Sequence, residues 1–336
     1  MNSILSTVLV FPMVLAGQVI SPIPQAPIPL TPFYLSSQQK DVRAKLSTPA
    51  AIAVARSGNI YVFDDGNSRI VKLNARGTFI TEFGQPGTGL GAIHRADLSD
   101  SMAVDPDENV YVIDLVIPKV QIFNSSGTFL RSFRLPFPVT SIAVNGKREI
   151  FVTPDTYRAT QLIYVFSETG KFLRKFGERP VRVSGSLARA VNQAVIACDT
   201  HDNLFVAFHS WPLIRKYSPN GTLISENQFR IPSELIPDNQ RNNYSLDFFA
   251  THADSSFVPP LITHSISVNG TGTGYLLLNA HSIVVFASNC QVVRQFHFQA
   301  PRDRNNVFLR LVGSLNSATV YLLDTHSGEI YRALKL

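Results

Sequence analysis

From Pro49 to Gly84 short apolar runs alternate with turn-forming residues: AIAV, NIYVFD, RIVKLN and TFITEF, broken at Ser57-Gly58-Asn59, Asp65-Gly66-Asn67 and Ala75-Arg76-Gly77. Runs of this length, rich in β-branched and aromatic residues and bounded by Gly, Asn and Asp, predict four strands of one twisted antiparallel sheet. Such a sheet cannot bury both of its faces alone and needs neighbours of its own kind.

Those neighbours recur along the chain. Asp100 to Pro136, Val139 to Gly177, Ala194 to Phe229 and His264 to Phe298 each repeat the four-run pattern, and Phe308 to Leu336 repeats it with one strand missing. Val62, Val112, Val152, Val206, Leu277 and Leu322 stand at matching positions, spaced 50, 40, 54, 71 and 45 residues apart. Six such units predict an all-β fold, a six-bladed β-propeller of four-stranded antiparallel blades. The incomplete last unit would leave a long open edge, which natural sheets avoid. Thr31 to Ser36 (TPFYLS) has no partner of its own. It is expected to supply the fourth strand of the last blade, with Gln38 to Leu46 crossing from the rim inwards.

The best-formed units resemble the NHL-repeat family. The resemblance is carried by Gly58-Asn59-Ile60-Tyr61-Val62-Phe63-Asp64, by Asn67-Ser68-Arg69-Ile70 and by Phe79 to Gly84, and again by Asn109 to Asp114 with Lys119-Val120. The third to sixth units drift from that pattern. The resemblance covers about Pro49 to Leu336 and implies a propeller, a scaffold that serves both binding proteins and enzymes.

Composition fits this reading. Hydrophobic residues make up 45% and charged residues 16% of 336 positions, and 23 Phe with 10 Tyr suit packing between blades. The net charge of +6 is dispersed, without the dense basic run that a nucleic-acid surface requires, so a nucleic-acid partner is not expected. Residues 1–17 read as a signal peptide: Ile4 to Ile20 is apolar but short for a membrane span, and Ala16-Gly17 offers a cleavage site, although no Lys or Arg precedes Lys40. Five prolines between Pro22 and Pro32 mark residues 18–30 as a Pro-rich linker, leaving 31–336 as one propeller domain. A secreted or periplasmic protein with no integral membrane domain after cleavage is the expectation. Cys198 and Cys290 fall at different radii, so no disulfide is expected between them.

The turn residues carry a structural message. Asn74-Ala-Arg-Gly77, Asn124-Ser-Ser-Gly127, Ser167-Glu-Thr-Gly170 and Ser218-Pro-Asn-Gly221 suit type I turns followed by a residue at positive φ. Four Asn-x-Ser/Thr triplets, at Asn124, Asn220, Asn243 and Asn269, mostly coincide with turn chemistry. The acids that end second strands, Asp64, Asp114 and Asp324, are read as acceptors for backbone N–H groups in the next turn.

Candidate chemistry gathers where second-to-third-strand loops and inter-blade loops share one face. His209, His281 and His326 lie just past second strands on adjacent blades and are candidate ligands for a divalent metal, zinc or calcium. The resemblance adds that an NHL-type lyase acting on hydroxyglycine peptides holds zinc through histidines in its channel. Nearer the axis, His264 and Asp100 precede innermost strands where other blades carry Ala50, Thr140 and Ala194. The longest irregular stretch, residues 230–263, brings Tyr244, Leu246, Phe248 and Phe249 to that face, and a loop of this length is usually functional or disordered. Asp100, His264, His209, Tyr244 and Phe248 are therefore the candidate ligand-binding residues. No nucleophile elbow, paired carboxylates or phosphate loop is visible. The expectation is a platform that binds a protein or small molecule and needs no cofactor. The alternatives are a metal-assisted lyase or hydrolase at the channel and a peptide- or RNA-binding scaffold.

Overall fold

The computed structural model describes residues 27–93, 101–114, 117–155, 158–182, 185–231, 236, 238, 244–252, 256–278, 282–298, 309–313 and 319–333. Among them stand six four-stranded antiparallel sheets and a two-stranded parallel one. The innermost strands are Ala51–Val54, Met102–Val104, Val139–Val144, Ala194–Cys198, Thr263–Val268 and Leu309–Gly313, which open blades 1 to 6. Each lies beside the next, and that of blade 6 lies beside that of blade 1, so the ring closes. The all-β six-bladed propeller expected from the repeats is the fold observed.

Burial is most complete at the second strand of each blade and lowest at the outer strand. Second strands such as Ile60–Asp64 and Leu204–Phe208 are buried at every position, and their side chains fill the spaces between blades. Outer strands such as Leu223–Gln228 alternate toward solvent. The strand pairings align Ile60, Val110, Ile150, Leu204, Gly274 and Val320 as the first residues of second strands. Leu276 therefore matches Val62, and the sequence reading that placed Leu277 there is off by one. The cause is Gly274, where a Cβ would lie 1.9 Å from the Phe286 ring directly opposite it.

The glycines between third and fourth strands do more than turn the chain. Gly127, Gly170 and Gly221 adopt φ of +88°, +83° and +92°. Each is also covered by a phenylalanine from the outer strand of the preceding blade: a Cβ would stand 2.6 Å from Phe83, 2.5 Å from Phe133 and 2.6 Å from Phe176 respectively. The repeated Phe at the end of the outer strand and the repeated Gly in the next turn are thus one contact, read from opposite sides. Gly170→Ala combines a left-handed backbone with a clash against the Cβ and Cγ of Phe133, and should cost about 2–4 kcal/mol. Chemical denaturation measures it, and a loss under about 0.5 kcal/mol, the size of an ordinary surface substitution, would contradict this contact.

The same contact explains how the ring is fastened. Thr31–Tyr34 pairs antiparallel with Ile330–Ala333, with Thr31 opposite Arg332 and Tyr34 opposite Ile330, and becomes the fourth strand of blade 6 as expected. Phe33 then covers Gly77 of blade 1, where a Cβ would meet its carbonyl oxygen at 3.0 Å and its ring at 3.2 Å. Tyr34 is buried, and its hydroxyl donates to the Ala44 carbonyl. Further upstream the Ile28 N–H donates to the His297 carbonyl (2.8 Å), and Ile28 and Leu30 pack on the core between blades 5 and 6. Cys198 and Cys290 are both free thiols. Cys290 takes the turn position at φ +68° and is buried, with its sulfur 3.3 Å from the Ser225 hydroxyl.

Candidate functional site

Because the strands alternate in direction, the two ends of the propeller differ. First-to-second and third-to-fourth turns fall at one end, called lower here. Second-to-third loops and inter-blade connections fall at the other, the upper end. The described lower turns are short and satisfy their own polar groups: Asp199 accepts from the N–H groups of His201 and Asn203, and Asn269 from those of Thr271 and Thr273, all at 2.9–3.0 Å. Among the described residues, both α-helices lie in connections at the upper end.

These two connections meet above blade 4. Helix α1 (Ser186–Val191) lies in the connection from blade 3, and helix α2 (Leu246–Thr251) lies in the 230–263 stretch. The Ser245 hydroxyl caps α2 by accepting from the Phe248 N–H at 3.1 Å. Val181, Leu187, Ala188, Val191 and Phe249 form a small buried core between the two helices. Trp211, from the second-to-third loop of blade 4, stacks on Tyr244 at 5.7 Å and meets Phe249 edge-on at 5.8 Å. The Tyr244 hydroxyl donates to the Ser210 carbonyl. Tyr244 and Phe248 are half-buried, while Val258 remains 74% exposed. The long stretch is thus anchored by an aromatic layer of its own.

Beside this layer lies the upper mouth of the channel. His209 follows the second strand of blade 4 and is buried; its Nδ1 stands 2.7 Å from the Thr263 carbonyl oxygen. A carbonyl only accepts, so Nδ1 carries the proton and Nε2 keeps its lone pair. The His209 backbone ties the same junction together: its carbonyl accepts from Ile262 (2.7 Å) and Thr263 (3.0 Å), and its N–H donates to Gln193 (3.0 Å). His264 is the extra residue of a β-bulge, since Thr263 pairs with Leu278 and Ser265 with Leu277. Bulges re-aim a side chain in this way beside functional sites.

Burial lowers the pKa of both imidazoles to about 4, assisted for each by the nearby Arg310 guanidinium and, for His264, by His209. Both rings are therefore neutral at neutral pH. Arg310, in the innermost strand of blade 6, also donates from Nε to the Ala50 carbonyl at 3.2 Å. Asp155 adds a negative charge within reach of His209. Burial pushes its carboxyl up, but hydrogen bonds from Arg189 (2.8 and 2.5 Å) and Gln193 (2.6 Å) outweigh it and hold the pKa below the usual carboxylate value.

Of the candidates from sequence, His209 and His264 come together, and Tyr244 and Phe248 join the aromatic layer beside them. Asp100 and His281 lie outside the described residues. His326 sits exposed on a turn of blade 6, its N–H donating to Asp324 at 2.9 Å. Among the described residues no three His, Cys, Asp or Glu side chains are placed to share a metal. The donor set at the mouth also suits a dication poorly, because Arg310 stands beside the two imidazoles and Asp155 is engaged by Arg189. Two of the recurring acids behave as acceptors for the next turn, Asp114 taking the Ile117 N–H at 3.2 Å and Asp324 those of His326 and Ser327. Asp64 departs from that expectation, since its backbone donor is Ser47 of the preceding segment (2.6 Å) and the following residues reach it through the Asn67 and Arg69 side chains. Arg310, Asp155 and Trp211 were not foreseen. Arg310 alone left a trace in the sequence, as a charged residue within the innermost run FLRLVG, where other blades place Ala51, Ser141 and Ser265.

A second feature lies on the axis. A cavity of about 180 Å3 runs from the middle of the innermost strands to the lower turns, lined by Ile52, Ile142, Ile196 and Cys198 and rimmed by Asp105, Thr200 and Asp202. It opens away from the face where ligand chemistry was expected.

No family model matches the chain, and no curated protein matches it. Solved structures do. A protein of Bacteroides fragilis assigned to export shares 14% identity over 92% of this chain and 94% of its own, with a TM-score of 0.60. A catalytically inactive virginiamycin B lyase from Staphylococcus aureus holding quinupristin shares 12% over 89% and 83%, with a TM-score of 0.53. The WD40 repeats of RRP9 share 12% over 92% and 80%, with a TM-score of 0.54. At these identities the likeness carries the fold alone, and the chain is a six-bladed β-propeller.

Proposed function

We propose that the protein is an exported, NHL-like binding platform whose ligand seat is the upper mouth of the channel. The observation that carries this reading is the convergence of His209, His264, Arg310 and Asp155 from four blades, next to the aromatic layer of Trp211, Tyr244 and Phe248. Neutral imidazoles accept hydrogen bonds, a guanidinium donates them, and the aromatic wall takes an apolar flank. A small molecule or peptide end that combines polar and apolar groups fits this set. Export rests on the apolar run Ile4 to Ile20 and finds support in the likeness to the Bacteroides fragilis protein. Mass spectrometry of the mature N-terminus tests it, and an intact Met1 in the exported fraction would argue against cleavage.

The binding reading is tested by a thermal-shift screen of metabolites and short peptides against the parent and a His264→Ala variant. Compounds that stabilise the parent should lose about tenfold or more in affinity in the variant, since a buried polar contact is worth roughly 1–3 kcal/mol. Hits that bind both proteins equally would place the seat elsewhere.

A second reading, a lyase or hydrolase at the same mouth, is favoured by the Nδ1 bond of His209. A carbonyl that holds one ring nitrogen leaves the other unprotonated and oriented, the arrangement that suits a proton acceptor. The likeness to virginiamycin B lyase agrees with this reading at the level of fold. Metal analysis of the purified parent and of a His209→Ala, His264→Ala variant separates the metal-assisted form: stoichiometric zinc or calcium in the parent alone would favour it over the platform.

A further inference from the structure

The axial cavity plays no part in the reading above, and its chemistry differs. At about 180 Å3 it exceeds the roughly 150 Å3 engineered cavity that takes up benzene in another protein. Its inner end is a ring of aliphatic side chains at one register, Ile52, Met102, Ile142, Ile196, Ile266 and Leu311, one from each blade. The next residue toward the rim is small in most blades, being Ala53, Ala103, Ala143, Ala197 and Ser267, so the bore stays open.

Two of the rim carboxylates are matched locally. Asp105 stands 3.7 Å from Arg148 and Asp199 stands 3.6 Å from Lys216, and both also accept from N–H groups of their own turns. Arg56 has partners as well. A charged guest would exchange water for an aliphatic sleeve, at large cost. The rim still offers polar groups. The Thr200 hydroxyl, which donates to the Gly270 carbonyl at 3.0 Å, keeps its lone pairs, and Asp202 accepts from the Gly146 N–H at 2.7 Å through one of its two oxygens.

We propose that this cavity is a binding site for a small uncharged molecule with an apolar body and one polar end. The body lies within the aliphatic sleeve and the polar end meets Thr200 and Asp202 at the lower rim. The cavity carries its own reporter, because Cys198 lines it half-buried while Cys290 is fully buried elsewhere.

Benzyl alcohol is a suitable probe, with the rate of Cys198 modification by a large excess of methyl methanethiosulfonate at one fixed alkaline pH as the readout. Burial and the Asp202 and Asp199 carboxylates push the pKa of this thiol up and slow the reaction, so rates are compared only with and without probe. At ten times its Kd the probe leaves about a tenth of the sites open, so the rate at Cys198 should fall about tenfold. Ala197→Leu fills the sleeve and should abolish the protection. If that variant does not fold, Thr200→Trp, at an exposed rim position, should block entry instead. An unchanged rate at Cys198 in the parent, or equal protection in parent and blocked protein, would overturn the proposal.

Discussion

A chain that begins at Gln38 should fail to fold as a monomer. It lacks Thr31–Tyr34, so the edge Ile330–Ala333 of blade 6 has no partner, and exposed edges of this kind seed association. It also lacks Phe33, which covers Gly77, and Tyr34, which is 2% exposed and bonded to Ala44. Tyr34→Ala alone removes a buried aromatic side chain and should cost about 3–5 kcal/mol. Size-exclusion chromatography and denaturant titration report both effects. A synthetic peptide of residues 27–37, added in trans, should restore the monomer by strand addition. The closure assigned here would be refuted if the truncated chain were monomeric with the melting temperature of the parent.

Stability should fall steeply on mild acidification, before the carboxylates are protonated. Unfolded imidazoles take up a proton below a pH of about 6.5, whereas burial holds His209 and His264 neutral until about pH 4. Between those limits the unfolded chain binds more protons than the folded one, so stability is lost as pH falls and is complete above the window. The loss should total roughly 3–6 kcal/mol, the lower figure allowing for the partial access of solvent to His264. Glu108, Glu149 and Asp155, held below their ordinary values, add a loss of the same sign at lower pH. Denaturant midpoints between neutrality and pH 4.5 measure the slope, and a His209→Asn, His264→Asn variant should flatten it. A parent equally stable at both ends of that range would mean that both rings protonate freely inside the fold.

Much of the fold was legible because its repeating unit is local. The runs at Ile60–Asp64 and Val110–Asp114 show their strands through β-branched and aromatic content, and the glycines at 77, 127, 170 and 221 show their turns. Even the closure by Thr31–Tyr34 followed from counting strands, since one blade was a strand short. Register was less secure: Gly274 interrupts the apolar run of its strand, and only its pairing with Phe286 shows which neighbour matches Val62. The helices α1 and α2 were invisible as elements because each is six residues long and owes its burial to the other.

The site was legible only in part. His209 and His264 stood out as ionisable residues near strand ends, but nothing local showed that one ring would be tethered to the residue preceding the other. Arg310 and Asp155 come from blades 6 and 3 and meet the histidines only when the ring closes. The sequence by itself determined the architecture, because strand length, turn residues and six-fold repetition act over a few residues at a time. The tertiary structure alone decided which side chains share the upper mouth and at which end the axial cavity opens. Those depend on bulges, loop paths and the closing strand, which join residues hundreds of positions apart.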